Sequence, residues 1–233
     1  MIINKSSRKE EINKEQDHLI LIDKPSKWTS FDIVKKIRNI GSFDKVGHAG
    51  TLDPFATGLL ILGTGKNTKK LSQISGSEKA YIAKIIFGQE TDTYDVTGKA
   101  IRKNELKQIN VEKVKDTAIG FLGTSNQTPP MFSAKKINGH RLYKLARNGI
   151  TVQRKPHRIE IKKFKLISHK ALEADFYIEC SKGTYIRTLA HDLGIKTGYG
   201  AYLKELRRVC INGYHVDDAL TIEEFFLLWQ KLN

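Results

Sequence analysis

Residues 45–60, KVGHAGTLDPFATGLL, bring together the residue types that most suggest chemistry in this chain. His48 and Asp53 stand among glycines, which permit tight turns and the close approach of a ligand. Asp53 precedes a proline, which biases its backbone toward an extended conformation and away from helix. Taken alone, such an aspartate is more often a turn residue that bonds its own backbone, and such a histidine is more often packed. The segment predicts a functional loop only if other residues support it.

The glycine-rich stretch at 58–70 does not fit either familiar phosphate-binding motif. A P-loop requires glycine, four residues and then Gly-Lys-Ser/Thr, whereas Gly65 and Lys66 are followed by Asn67. The dinucleotide fingerprint fails as well, because Thr68 stands where its third glycine would be. Nucleotide cofactors are therefore poor candidates.

The cysteines and histidines do not form a metal-site pattern. Cys180 and Cys210 lie in apolar sequence and predict small buried residues rather than ligands or a disulfide. The seven histidines are scattered and no cysteine pair accompanies them. We expect no metal and no cofactor.

The charge of the chain indicates a polyanionic partner. Forty Lys and Arg stand against 25 Asp and Glu among 233 residues, a net charge of +15. Such a surplus favours nucleic acid, because contacts to phosphates release condensed counterions, although a lysine-rich proteome would also produce it. The apolar runs are shorter than the roughly 20 residues that span a bilayer, and the start lacks the apolar stretch of a signal peptide. We expect a cytoplasmic protein.

Apolar periodicity predicts the elements that must position these residues. Strands are expected at 18–23, 58–65, 81–87, 157–167 and 174–180. Helices are expected after a capping box at Thr29 and Asp32, at 111–122, 139–148 and 184–194, and after a second box at Thr221 and Glu224. Because strands and helices mix without a regular βαβ repeat, we predict an α+β fold with a mixed sheet flanked by helices. Residues 1–17 are charged and lack periodicity, which predicts a flexible extension.

Ordered segments along most of the chain resemble the bacterial tRNA pseudouridine-55 synthases of the TruB family. Residues 45–60 are similar to the His-x-Gly-x-Leu-Asp-Pro-x-Ala-x-Gly signature of that family. Lys27 departs from the pattern, because glycine is expected there. The further similar segments are DKPSKWTSFDIV (23–34), EKAYIAKIIFGQETDTYDVTG (78–98), NQTPPMFSAKKINGHRLYKLAR (126–147), CSKGTYIRTLAHDLG (180–194) and YLKELRRVCINGY (202–214).

The resemblance implies the pseudouridine synthase fold and a role for each matching residue. Asp53 is implied as the catalytic nucleophile, Arg187 as its partner, and Tyr81 as a residue against the target base. The residues implied to line the base pocket or contact the RNA are Tyr185, Leu206 and His48.

The chemistry of the reaction agrees with these roles. Pseudouridine formation breaks the bond from sugar to ring nitrogen, turns the base and rejoins it through carbon. One carboxylate can start this by attacking the base or the sugar, or by assisting departure of the base. A guanidinium such as Arg187 keeps that carboxylate ionised in a dry pocket. Tyr81 could stack on the base or relay a proton. Without the resemblance, Arg187 would be interpreted as a solvated helix charge and Tyr81 as a half-buried strand residue.

A basic segment at 126–154 is implied to be an RNA-gripping insertion. Pro129-Pro130 gives it a stiff entry, and positive side chains follow on a predicted helix. A charge stripe of this kind is otherwise a solvated face. The basic residues predicted to contact RNA are Lys24, Lys135, Arg141, Lys144 and Arg147.

These features predict one catalytic domain at 18–233 that acts on the T stem-loop of tRNA as a monomer without guide RNA. The C-terminal RNA-binding domain of relatives is expected to be absent or reduced to one helix. Two alternatives remain, a guide-RNA-dependent pseudouridine synthase and an RNA-binding folding helper. The segment at 126–154 favours the stand-alone enzyme.

Overall fold

The computed structural model describes residues 1–137 and 139–232. The strands are β1 (Ile2–Ile3), β2 (Leu19–Lys24), β3 (Val46–His48), β4 (Thr57–Thr64), β5 (Lys79–Phe87), β6 (Gln89–Thr91), β7 (Ala100–Lys103), β8 (Gly123–Gln127), β9 (Lys136–Ile137), β10 (His140–Arg141), β11 (His157–Lys170), β12 (Glu173–Cys180), β13 (Ala201–Ile211) and β14 (Tyr214–His215). The helices are α1 (Ser30–Gly41), α2 (Leu71–Ser75), α3 (Val111–Ile119), α4 (Leu142–Arg147), α5 (Ile186–Thr197) and α6 (Ile222–Gln230).

The chain divides into two compact units. Unit 1 contains Met1–Tyr81 and Leu206–Asn233, and unit 2 contains Ile82–Glu205. The chain passes between the units within β5 and within β13. The prediction of one catalytic domain over 18–233 therefore stays a prediction.

Unit 1 carries a mixed sheet covered by helices. Strand β2 pairs parallel with β1 and antiparallel with β4, whereas β4 pairs parallel with β13 and antiparallel with β3. Helices α1 and α6 contribute buried apolar side chains to one core cluster with β2 and β4. The predicted α+β fold with a mixed sheet is confirmed. The large side chains of this cluster include Ile20, Ile22, Ile33, Ile37, Leu60, Leu62, Phe225 and Trp229.

Local sequence explains where α1 begins and which face it buries. The hydroxyl of Thr29 accepts a hydrogen bond from the backbone of Asp32 at 3.0 Å, and the Asp32 carboxylate accepts from the Thr29 backbone at 2.8 Å. This reciprocal capping satisfies two donors that the first turn leaves without helical partners. Ile33, Val34 and Ile37 are buried. The box at Thr221 and Glu224 starts α6 in the same way.

Unit 2 is built on antiparallel strands. Strand β11 pairs with β12 on one side and with β8 on the other. Two short hairpins, β6–β7 and β9–β10, accompany this sheet, and α3 packs against α5 and β11. The strands predicted at 157–167 and 174–180 are confirmed, although β11 continues to Lys170.

Three helix ends differ from the sequence predictions. The helix predicted over 111–122 ends at Ile119, and Leu122 is exposed rather than buried. The helix predicted over 139–148 begins at Leu142, because the preceding residues pair as β9 and β10. Helix α5 does not end at Gly194, which stays helical and buried; it ends at Gly198, whose φ of 76° lies in the left-handed region.

The first 17 residues also differ from the extension expected for them. Residues Ile2–Ile3 pair in parallel with β2, and Ile3 and Ile12 are buried in the core of unit 1. These two apolar side chains explain why a charged segment packs against the unit. In the described part of the chain, no helix is long and apolar enough to cross a membrane.

Candidate active site

Asp53 lies on a loop, residues 49–56, that connects β3 to β4 in unit 1. The hydroxyl of Ser30, the first residue of α1, accepts from the Leu52 backbone at 2.9 Å and donates to the Leu52 carbonyl at 3.2 Å. The backbone N–H of Ala56 donates to the Asp53 carbonyl at 3.1 Å, which closes a turn around the proline. Asp53 itself is half-buried. The loop therefore has a defined conformation that presents its carboxylate at the edge of the core.

Lys24 supports this loop from inside the protein. It ends β2 and is fully buried, although it was predicted to contact RNA. Its ammonium donates to the carbonyls of Trp28 at 2.7 Å, Pro25 at 2.9 Å and Pro54 at 3.4 Å. Burial lowers the pKa of Lys24 to about 8, and the nearby charge of Asp53 opposes that decrease. The structure thus places Lys24 beneath the Asp53 loop.

Arg208 is a second buried cation at the loop, and the sequence did not single it out. Its guanidinium donates from Nε to the Leu59 carbonyl at 2.8 Å and from Nη2 to the Gly50 carbonyl at 3.1 Å. It also forms a hydrogen bond with the side chain of Tyr81. Burial lowers the pKa of Arg208, and Tyr81 opposes this effect. One side chain therefore fixes both arms of the loop and the tyrosine predicted to contact the base.

Gly58 permits the close approach of β4 to β13 at this point. Its φ is 102°, and a Cβ there would meet the backbone of Arg208, with which it pairs in parallel. A glycine is required because any other residue would be strained and would separate the strands. The Gly58 of the sequence signature thus positions Arg208.

His48 and the apolar pocket residues also lie in unit 1. His48 stands opposite Leu62 in the β3–β4 pair and is half-buried. Burial lowers its pKa, and the positive charge of Arg208 lowers it further. Tyr81 and Leu206 are 6% and 7% exposed, so only a small part of each side chain is open to a ligand. Unit 1 therefore brings His48, Asp53 and Tyr81 into one electrostatic network with its buried cations.

Arg187 lies in unit 2, where its partner is an aspartate that the sequence reasoning missed. Its Nη1 lies 3.2 Å from Oδ2 of Asp95, and both side chains are about 5% exposed. Its guanidinium also donates to the carbonyls of Phe132 at 2.9 Å and Thr93 at 3.2 Å. The interpretation of Arg187 as a solvated helix charge is wrong. The pairing with Asp53 that the resemblance implies stays a prediction.

Asp95 is fixed by the turn in which it lies. Its Oδ1 accepts from the hydroxyl of Thr93 at 2.8 Å and from the backbone N–H of Thr97 at 2.9 Å. The Thr97 hydroxyl donates to the same oxygen at 2.5 Å. An aspartate two residues before a threonine is a recognisable turn signal. Nothing local, however, connects it to an arginine 92 residues later in the sequence.

Tyr185 is held at the start of α5. Its backbone N–H donates to Oε1 of Gln127 at 2.8 Å, and Nε2 of the same amide donates to the Tyr185 carbonyl at 3.0 Å. Its half-buried ring meets that of His157 edge to face, with the centroids 6.2 Å apart. This double amide contact holds the backbone from which the tyrosine side chain extends.

The basic residues predicted to grip RNA are at the surface of unit 2. Only Lys144 and Arg147 lie on α4, because Arg141 is extended at its N-terminal cap, so the predicted three-residue stripe is not continuous helix. The Arg147 guanidinium lies over the Tyr143 ring, 5.5 Å from its centroid. Side chains that are exposed, and thus accessible to a phosphate, are those of Lys135, Arg141, Lys144 and Arg147.

Among the residues that the structure describes, no group of three or more His, Cys, Asp or Glu side chains could hold a metal ion. The buried cations Lys24 and Arg208 of unit 1 instead donate to carbonyls, and the charge of Lys24 interacts with that of Asp53. The arrangement can therefore position one carboxylate and one phenol beside positive charge.

Sequence comparison finds relatives along most of the chain. Residues 38–186 match the family model of the TruB family pseudouridylate synthases, N-terminal domain. The tRNA pseudouridine synthase B of Endomicrobium trichonymphae is 46% identical over 208 residues, 89% of this chain and 90% of that protein. The enzyme of that name from Aquifex aeolicus is 44% identical, over 90% of this chain and 73% of its own length. The one from Chlorobaculum tepidum is 43% identical, over 91% of this chain and 90% of its own length.

Structural comparison finds the same fold in two solved assemblies. A Cbf5–Nop10–Gar1 complex matches with a TM-score of 0.71 at 24% identity, over 98% of this chain and 62% of that one. An H/ACA RNP bound to a substrate RNA containing 2′-deoxyuridine matches with a TM-score of 0.68 at 22% identity, over 91% of this chain and 54% of that one. Identities this low inform about the fold alone. The family match and the curated relatives together establish that the chain belongs to the TruB family of pseudouridylate synthases.

Proposed function

We propose that this chain converts one uridine in the T loop of tRNA, at position 55, to pseudouridine, with Asp53 as the catalytic residue. As a TruB-family member it is a pseudouridine synthase, and its curated relatives are named for tRNA. The observation that carries the proposal is the support of the Asp53 loop by two buried cations, Lys24 and Arg208. A loop that served only as a connection would not need two buried charges, which are expensive to desolvate.

The reaction needs an ionised carboxylate and no external reagent. The bond from N1 of uracil to the sugar breaks, and a bond from C5 to the same sugar carbon forms. The hydrogen on C5 leaves to water as a proton, and N1 takes one up. The carboxylate of Asp53 starts this by attack or by assisting departure of the base. The ammonium of Lys24 lies close enough to interact with Asp53, and this positive charge favours the ionised form.

Tyr81 is proposed to receive the target base. Extracting a base from the RNA stack costs on the order of a few kcal/mol, and stacking on an aromatic ring returns roughly 1–3 kcal/mol. The hydrogen bond from Arg208 holds the phenol and therefore orients the ring. The same hydroxyl is available to relay a proton.

The remaining roles follow the resemblance. We propose that Arg187 assists Asp53, that Tyr185 and Leu206 line the base pocket, and that His48 contacts the RNA. The proposed phosphate contacts are Lys135, Arg141, Lys144 and Arg147. Action as a cytoplasmic monomer without guide RNA is part of the same proposal.

The test is release of tritium from a T-arm RNA labelled at C5 of uridine, without added metal or nucleotide. The wild type is expected to release one tritium per RNA, and Asp53→Asn none. Asp44→Asn is the matched control, because Asp44 is an exposed aspartate of the same unit and its loss leaves the loop intact. Equal release by Asp53→Asn and wild type would refute the role of Asp53.

The same substrate separates the alternatives. Release from a bare T-arm hairpin, with no guide RNA and no other protein, supports the stand-alone enzyme. Tight binding without release by the wild type would instead support an RNA-binding folding helper. Analytical sedimentation at the assay concentration tests whether the protein is a monomer.

A further inference from the structure

An exposed basic groove lies along α1 in unit 1. It has a volume of about 430 Å³, within the roughly 300–1,000 Å³ of small-molecule sites. Its α1 residues recur three and four positions apart and so share one helix face. We name it the Lys27 patch; its lining residues are Lys27, Trp28, Asp32, Lys35, Lys36 and Asn39.

The charge of the Lys27 patch suits a phosphate. The three lysines, Lys27, Lys35 and Lys36, are exposed, so their ammonium groups can reach a ligand. The Asp32 carboxylate is already used, because its Oδ2 accepts from the Thr29 backbone at 2.8 Å and from the Thr29 hydroxyl at 2.7 Å. Lysine binds phosphate as a compact charge without demanding a fixed approach. The lining therefore offers positive charge that its one acid only partly offsets.

Trp28 gives the same groove a surface for a base. The residue is 36% exposed, so part of its ring is open to a ligand. Unpaired bases stack on aromatic rings whatever their sequence. Lysines beside an open ring favour a nucleotide over an acidic peptide.

The patch is attached to the Asp53 loop. The backbone N–H of Lys27 donates to the Pro54 carbonyl at 2.7 Å, and the Ser26 hydroxyl donates to the Phe55 carbonyl at 3.2 Å. RNA that places a base at Asp53 must therefore pass its neighbouring nucleotides near the segment that carries Lys27.

Lys27 occupies a backbone conformation that does not suit it. Its φ is 70°, in the left-handed region where glycine fits without strain and a residue with a Cβ does not. The side chain is exposed and so gains nothing from packing in the core. A contact between its ammonium and a ligand would account for a lysine at this position.

We propose that the Lys27 patch binds a nucleotide that flanks the reacting uridine, through its phosphodiester and its unpaired base. This rests on the proposed function for the identity of the RNA. We expect this contact to be independent of base sequence, because neither the attraction of lysine for phosphate nor the stacking of a base on an aromatic ring depends on which base is present.

Lys27→Gly is the sharpest test, because it removes the ammonium and relieves the backbone. For single-stranded nucleic acid, each phosphate contact lowers the logarithm of the binding constant by about 0.7 when the salt concentration rises tenfold. One contact therefore strengthens binding roughly fivefold at 0.1 M salt relative to 1 M salt. We expect Lys27→Gly to weaken binding about fivefold at 0.1 M salt and to lower the salt slope by about 0.7. Its urea midpoint should equal or exceed that of wild type, which excludes unfolding as the cause.

The binding is measured by fluorescence anisotropy with a T-arm RNA and with an oligouridylate that lacks the T loop. Trp28→Leu should weaken binding to both RNAs without changing the salt slope. Replacing Lys27, Lys35 and Lys36 together should weaken binding on the order of one hundredfold if each contacts a phosphate. The matched control replaces the exposed lysines Lys5, Lys9 and Lys231 of the same unit and should leave affinity nearly unchanged.

The outcomes separate this proposal from the proposed function. If the wild type releases no tritium but the Lys27 variants lose affinity for both RNAs, the reaction is refuted and the patch is supported. If the wild type releases tritium and Lys27→Gly binds both RNAs with wild-type affinity and salt slope, the patch proposal is overturned. Loss of affinity in the control variant equal to that of the triple variant would also overturn it, because the effect would then be one of net charge.

Discussion

Replacing Arg208 with methionine tests whether this buried cation holds the Asp53 loop. The change removes the donors to the Leu59 and Gly50 carbonyls, at 2.8 and 3.1 Å, and the bond to Tyr81. Each hydrogen bond to a charged group contributes about 1.5–3 kcal/mol, or about 4 kcal/mol for the two. Removing the buried guanidinium avoids its desolvation penalty and so offsets part of this cost. We therefore expect Arg208→Met to lose about 2 kcal/mol of unfolding free energy.

The loss is visible in thermal unfolding, followed by circular dichroism. For a chain of this size, 1 kcal/mol corresponds to about 2–4 °C, so the melting temperature should fall by about 4–8 °C. Arg207→Met is the matched control, because it removes the adjacent arginine of the same strand. Arg207 bonds Asp23 at 2.7 and 3.0 Å, but its side chain is 40% exposed. An ion pair of this kind contributes about 1 kcal/mol or less, so the control should fall by at most about 4 °C.

The same variant should be slow in the tritium assay. Without Arg208 the loop loses its contacts at Gly50 and Leu59, and a displacement of about 1 Å costs on the order of one hundredfold in rate. Single-turnover release at saturating enzyme measures this step without the contribution of binding. If Arg208→Met melts like Arg207→Met and reacts within twofold of wild type, Arg208 does not position the loop.

Two further predictions concern the other buried charges. Asp95→Asn should lower the unfolding free energy by about 3 kcal/mol, because it removes the carboxylate that lies 3.2 Å from the buried guanidinium of Arg187. Urea unfolding measures this, and a loss below about 1 kcal/mol would contradict the pair. The pKa of Lys24 is about 8 in the folded protein and has its ordinary value of 10.5 in the unfolded chain, so the unfolded state binds more protons between these two pH values. The stability of wild type relative to Lys24→Met should therefore rise by about 3 kcal/mol from pH 8 to pH 10.5, and a flat difference in urea titrations would refute the shift.

Elements specified by neighbouring residues were predictable from the sequence. The capping boxes at Thr29 and Thr221 each involve residues three positions apart, and both helices begin where those boxes predict. The strand predicted at 81–87 forms within β5, and its alternate residues Tyr81, Ala83 and Ile85 are buried. In each case the deciding interactions are local or follow the period of the element.

Features that depend on distant pairing were not predictable in this way. The helix expected over 139–148 starts late because Lys136 and Arg141 pair across a hairpin, which competes with helix for the same backbone groups. Arg208 was hidden in a basic run, YLKELRRVC, that resembles a solvated strand. Its burial is seen only in the structure, where it pairs with Gly58 on β4 and is 1% exposed. The alternation of Leu206, Arg208 and Cys210 is the one local signal that could have indicated burial.

The two buried cations beneath the Asp53 loop explain how this loop is kept in one conformation. Lys24 and Arg208 are each fully buried, and their described hydrogen bonds go largely to backbone carbonyls of the loop and its flanks. Apolar side chains of similar volume would avoid desolvating a charge. They could not, however, donate to the carbonyls of Gly50 and Pro54, nor oppose the negative charge of Asp53. The geometry of this loop therefore depends on positive charge, as a reaction started by a carboxylate requires.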